Sequence, residues 1–128
     1  MSNASDPLTT PAPNDMARRP VSMIAWWGLP LAVGACASIL QVPFRAGAAI
    51  WAVAFAWMAI GCLLNAMRCH RVHCYISGPA FLIGAVIAGL DAVGVVDLSP
   101  SAFTSAVSAI LVLALLSFVP EMVWKRYA

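Results

Sequence analysis

Four long apolar runs leave this chain little choice of environment. Residues 21–44, 46–67 and 102–120 carry no charged side chain, and residues 78–96 carry only Asp91. A helix rising 1.5 Å per residue needs ~20 residues to cross the ~30 Å hydrocarbon layer. Each run meets or approaches that length. The 128 residues are 62% hydrophobic and 9% charged, whereas a soluble domain carries roughly a quarter charged residues. A deficit of that size cannot cover a water-facing surface. The expected fold class is therefore all-α: an integral membrane protein with four transmembrane helices, multi-pass in the lipid bilayer.

The punctuation supports this division. Residues 1–20 contain Pro7, Pro11 and Pro13 among Ser, Thr, Asn and Asp, which predicts a disordered cytoplasmic tail before a membrane domain over residues 21–128. The first span is expected at residues 21–43, with Trp26 and Trp27 near its start and a kink where Pro30 lies between Gly28 and Gly34. Arg18-Arg19 before an apolar stretch that reaches Val33-Gly34-Ala35-Cys36 loosely resembles a lipoprotein cleavage box. The apolar run continues past Cys36 through Leu40, however, which favours a retained helix.

The second span is expected at residues 46–67. No Gly or Pro lies between Arg68 and Ile76, so it is free to continue to residue 75. Ala48, Ala52 and Ala56 repeat every four residues along it, and Gly84/Ala88 and Ala85/Gly89 do the same later, marking close helix approach. Ser77-Gly78-Pro79 reads as the start of the third span, residues 78–96, with Ser77 as cap and Pro79 in the first turn. The fourth span is expected at residues 102–121.

The basic residues give the orientation. Arg18, Arg19, Arg68, Arg71, Lys125 and Arg126 fall on one side of the four spans, and Arg45 alone falls on the other. The positive-inside rule then places both termini and the 68–77 connection in the cytoplasm of a prokaryotic inner (plasma) membrane. A net charge of +2, carried by scattered positions, does not indicate nucleic acid.

The chemistry is concentrated in Arg68-Cys69-His70-Arg71-Val72-His73-Cys74. On a continuous helix Cys69, His70, His73 and Cys74 fall within about 140° of one face, at ~100° per residue. Thiolate and imidazole suit zinc, copper(I) or mercury, and the flanking arginines favour the thiolate form. Those arginines are equally expected as headgroup anchors beside solvated histidines. Cys62 lies two turns before Cys69, with Met58 a turn earlier, Asn65 between them and His73 a turn beyond. That stripe, with Cys36 on the first helix, is a candidate path for a soft ion, or ordinary packing. Asp91 is either a proton or cation site or a partner for Arg45.

The run Asn65-Ala66-Met67-Arg68-Cys69-His70-Arg71-Val72-His73-Cys74, followed by Ser77-Gly78-Pro79-Ala80-Phe81-Leu82, resembles a motif of an uncharacterised family of small prokaryotic four-helix membrane proteins. In size and cysteine placement the chain is also similar to small inner-membrane mercuric-ion uptake proteins. That resemblance implies a cysteine pair in the first helix and another toward the cytoplasm. Here Cys36 has no vicinal partner, and histidines stand between Cys69 and Cys74.

No GxSxG, P-loop or HExxH pattern indicates an enzyme. The leading expectation is a protein that binds, and in one form moves, a soft or transition metal ion. The alternatives are a structural subunit of a larger membrane complex or homo-oligomer, and a membrane thiol-redox protein using Cys69 and Cys74.

Overall fold

The computed structural model describes residues 14–124. The anchors Lys125 and Arg126 and most of the expected tail, residues 1–13, lie outside the described residues. Four helices are long and apolar enough to cross a membrane: α1 (Pro20–Ile39), α2 (Phe44–Cys69), α3 (Val72–Ala92) and α4 (Pro100–Val123). Every element among the described residues is a helix, and no strand occurs among them.

Neighbouring helices run antiparallel. Gly34 of α1 meets Trp51 of α2, while Trp57, further along α2, donates its indole N–H to the Ala25 carbonyl nearer the start of α1 (3.2 Å). The α2–α3 hairpin is the centre, with α1 packed on α2 and α4 on α3. The buried stripe of α2 runs through Ala48, Trp51, Phe55, Met58, Cys62, Asn65 and Cys69. Large apolar side chains elsewhere point outward, including Leu115 and Met122, 69% and 84% exposed. Such an outer surface suits hydrocarbon and not water.

Small residues sit where helices cross. A Cβ on Gly84 would lie 2.7 Å from Ile110 Cδ1 and 3.0 Å from Phe55 Cδ2, whereas one on Gly89 would meet only Ala52, at 4.0 Å. Overpacking of this kind costs about 1–3 kcal/mol. Gly84→Val is expected to lower stability by about that amount and Gly89→Ala to leave it nearly unchanged. Thermal unfolding in detergent measures the difference; equal effects would place the α3–α4 crossing elsewhere.

Several boundaries differ from expectation, among them the ends of α1 at Ile39 and of α3 at Ala92, short of residues 43 and 96. First, the N-terminal part of α1 winds as a π-helix over Ile24–Gly28, with the Leu29 amide bonding back to the Ile24 carbonyl. Pro30 has no N–H to offer the Trp26 carbonyl, so the predicted irregularity takes the form of a wider turn just before it.

Second, α2 does not continue to residue 75. It stops at Cys69, because His70 adopts the left-handed conformation (φ 51°, ψ 39°) and Arg71 is extended (φ −75°, ψ 127°). Histidine tolerates that region better than most residues, although it still costs on the order of 1–3 kcal/mol. The two-residue connection turns the chain back on itself and drives Arg71 inward.

Third, α3 begins at Val72, so Ser77 and Pro79 lie inside it and not at its start. Ser77 donates its hydroxyl to the His73 carbonyl one turn earlier (2.8 Å). The fourth helix opens two residues before its expected start, on a Ser99 cap that accepts from the Ala102 amide (3.2 Å). Its regular winding pauses at Ser117 and resumes at Val119.

Candidate functional site: a buried dithiol beside a histidine–glutamate pair

The start of α1, the end of α2, the start of α3 and the end of α4 meet at one end of the bundle. Arg71 organises the polar groups there. Its Nη2 lies 3.1 Å from Glu121 Oε2, its Nε donates to both Glu121 oxygens (3.3 and 3.2 Å), and its Nη1 pairs with Asp15. Burial works against the guanidinium charge, but Glu121 and then Asp15 outweigh it and hold the Arg71 pKa above its ordinary value. Asp15 arrives on the short helical turn Met16–Arg18, whose first amides it helps to satisfy by accepting from the Ala17 N–H (3.0 Å). The Met16 amide in turn donates to Asn65 Oδ1 (3.0 Å), tying the N-terminal segment to α2.

Glu121 also receives the His73 backbone N–H (3.0 Å) and lies 2.6 Å from His73 Nδ1. An oxygen facing this many donors is a carboxylate acceptor, so Nδ1 carries its proton toward Glu121. Nε2, the other ring nitrogen, then faces the Cys74 sulfur at 3.2 Å. In the Nδ1–H tautomer Nε2 is an acceptor, and the Cys74 thiol is placed to donate to it. The His73 ring stacks on Phe118, with centroids 4.2 Å apart. That stacking fixes the ring plane and orients Nε2.

The second thiol is Cys62. It stands close to Cys74 across the α2–α3 hairpin, and its sulfur accepts from Trp27 Nε1 (3.2 Å). It also lies 3.3 Å from Ser77 Oγ. The Ser77 proton is already committed to the His73 carbonyl, so Cys62 donates to Ser77. Asn65 Nδ2 approaches Cys74 Sγ at 3.5 Å while also donating to Asp15 (3.2 Å). Cys62 and Cys74 are 1% and 0% exposed, so both thiols are buried.

The sequence-derived candidates divide into two sets. Met58, Cys62, Asn65, His73 and Cys74 come together, with Arg71 beside them. The stripe on α2 is present, but His73 reaches it from α3. Cys69 is buried at the end of α2, and His70 is exposed on the connection with Nδ1 2.8 Å from Tyr75 Oη. The four adjacent Cys and His residues therefore point in different directions. Among the described residues no group of three or more His, Cys, Asp or Glu side chains is arranged to hold a metal ion.

Cys36 lies exposed on α1. Asp91 sits at the opposite end of the bundle, where Oδ1 accepts from the Leu98 amide (2.9 Å) and caps the α3–α4 turn. Its Oδ2 is buried with no hydrogen-bond partner among the described residues. Arg45 lies instead against Gly94, and among the described residues no ion pair joins it to Asp91.

Asp15, Trp27, Ser77 and Glu121 were not singled out by sequence as members of this site. For Asp15 and Glu121 the one advance signal is scarcity: with only five acidic residues in the chain, each is a candidate partner for a basic residue drawn inward. Comparison of the chain with protein-family models, with curated proteins and with solved structures finds no match.

Proposed function

We propose that this chain is a multi-pass membrane protein whose working element is the Cys62/Cys74 pair, cycling between dithiol and disulfide. His73 takes the proton from Cys74, and Glu121 keeps the imidazole in the tautomer that can take it. The observation that carries this reading is the series Glu121 Oε1–His73 Nδ1 (2.6 Å) and His73 Nε2–Cys74 Sγ (3.2 Å), with the Cys62 thiol beside it on Ser77 of the same helix (3.3 Å). Thiolate is the reactive form in disulfide exchange, and a buried thiol reaches it most readily through a built-in base. The basic residues Arg18, Arg19 and Arg68 share this end of the bundle, which supports a cytoplasmic location for the pair.

Redox titration of the purified protein in glutathione buffers tests this, with unfolding before alkylation so that burial does not hide a thiol. Cys62 and Cys74 are expected to disappear together in one two-electron step, tenfold in the equilibrium constant for every ~30 mV. Cys62→Ser or Cys74→Ser should abolish that step, while Cys36→Ser and Cys69→Ser should leave it. Four thiols that stay alkylatable in oxidising buffer would sink the reading.

A second reading places a soft ion, mercury(II) or copper(I), between the same two sulfurs, favoured by two buried thiols brought together on facing helices. Its signature is one bound equivalent that is lost in either serine variant, without a two-electron redox step in the metal-free protein.

A further inference from the structure

A cavity of about 490 Å³ lies against this cluster, with walls drawn from all four helices. That volume falls within the range of small-molecule sites, which are mostly apolar with a few polar groups that fix orientation. Trp27, Leu31, Phe81 and Leu115 supply apolar wall, and the polar side chains in the lining are Arg71, His73 and Ser77. Its rim includes Met23 of α1 and Leu115 of α4, 50% and 69% exposed, so it opens sideways between the first and last helices. In a bilayer that opening faces lipid.

The polar end restricts the head of any occupant. Arg71 is already committed to two carboxylates, and the oxygens of those carboxylates are committed to Arg71, His73, Asn65 and backbone amides. An anionic head would find no spare cation, and a cationic head no spare oxygen. A neutral head that forms hydrogen bonds is what remains. Two of the polar lining residues are also the direct neighbours of the thiols: His73 of Cys74 (3.2 Å) and Ser77 of Cys62 (3.3 Å). The occupant therefore meets the groups through which both thiol protons leave.

We infer that the cavity binds a lipid-soluble quinone, and that this quinone oxidises the Cys62/Cys74 dithiol. The inference rests on the dithiol reading above and names its co-reactant by class. In the step, two S–H bonds break and the Cys62–Cys74 S–S bond forms. Two electrons pass to the ring, and both ring carbonyls become hydroxyls. One proton travels from Cys74 through His73 and the other from Cys62 past Ser77, so dithiol plus quinone gives disulfide plus quinol with nothing left over.

The test uses the full chain in detergent and a decyl-substituted benzoquinone. Reduced protein is expected to release one quinol per disulfide formed. Leu111→Trp, which fills the cavity from α4, is expected to lower the ratio of the quinone rate to the glutathione-disulfide rate at least tenfold. Binding is read separately, by quenching of tryptophan fluorescence in the Cys62→Ser/Cys74→Ser double variant, where no redox step occurs. Retained quenching there, with decanol unable to reverse it, supports a built head site. Quenching reversed equally by decanol means that the cavity takes an alkyl chain only, and overturns the inference. A disulfide that forms with glutathione disulfide but not with the quinone overturns it too, while leaving the dithiol reading in place. If neither oxidant forms the disulfide, the dithiol reading falls and takes the redox step with it.

Discussion

Arg71→Met is expected to lower folding stability by roughly 3–5 kcal/mol, the cost of removing one partner from a buried ion pair. The Arg71 side chain is only 12% exposed, Asp15 is 0% and Glu121 4%. The variant would leave two carboxylates facing an apolar side chain with no compensating charge. The loss is also architectural, because Arg71 joins residues 56 positions earlier and 50 positions later in the chain. One guanidinium thus ties the N-terminal segment and the end of α4 to the connection between the central helices. Arg71→Lys keeps the charge but not the two-pronged geometry toward Glu121, and should fall between wild type and Arg71→Met. Equilibrium unfolding in detergent measures all three. A drop below about 1 kcal/mol in Arg71→Met, the range of an exposed pair, would mean that water reaches the cluster and that the network does not hold the bundle closed.

The same residue marks the limit of what could be read from sequence. Four spans, their approximate limits and the small-residue crossings follow from length, charge depletion and spacing, because a bilayer imposes those constraints locally. The left-handed His70 does not follow from them. Nothing between Arg68 and Ile76 forbids a helix, and the break is worth its strain only because Asp15 and Glu121 wait on other elements. Local propensity cannot report a partner 50 residues away. Once the helix breaks, the face assignment of the motif changes with it: His70 turns outward, and His73 and Cys74 turn inward to meet Cys62. The adjacency of Cys69, His70, His73 and Cys74 in sequence suggested one ligand set. The cluster in space is instead built from residues of α2 and α3 spaced a helical hairpin apart. Met58, Cys62 and Asn65 were legible as a stripe because periodicity along one helix is a local property. Trp27 and Ser77 were not, since each matters only through a neighbour on another helix.

His73→Ala is expected to slow disulfide formation between Cys62 and Cys74 roughly 100-fold, the lower end of what a positioned general base contributes. The comparison is the rate with glutathione disulfide at neutral pH, for wild type and variant at equal fractions folded. The substitution also removes the stacking on Phe118 and the Nδ1 contact to Glu121 Oε1, so a slower rate by itself does not identify a base. Free imidazole separates the two explanations. Deleting the ring leaves a space of the ring's own shape at the wall of a cavity open to small molecules. An added imidazole can occupy that space, accept the Cys74 proton and donate to Glu121. Rescue of at least tenfold by millimolar imidazole, with N-methylpyrrole of similar size inactive, is the expected result, because only proton transfer distinguishes those two additives. A loss of twofold or less in His73→Ala, or a full loss that imidazole leaves untouched while the variant remains folded, would show that the Glu121–His73–Cys74 alignment is structural. The dithiol would then depend on its oxidant alone for proton removal.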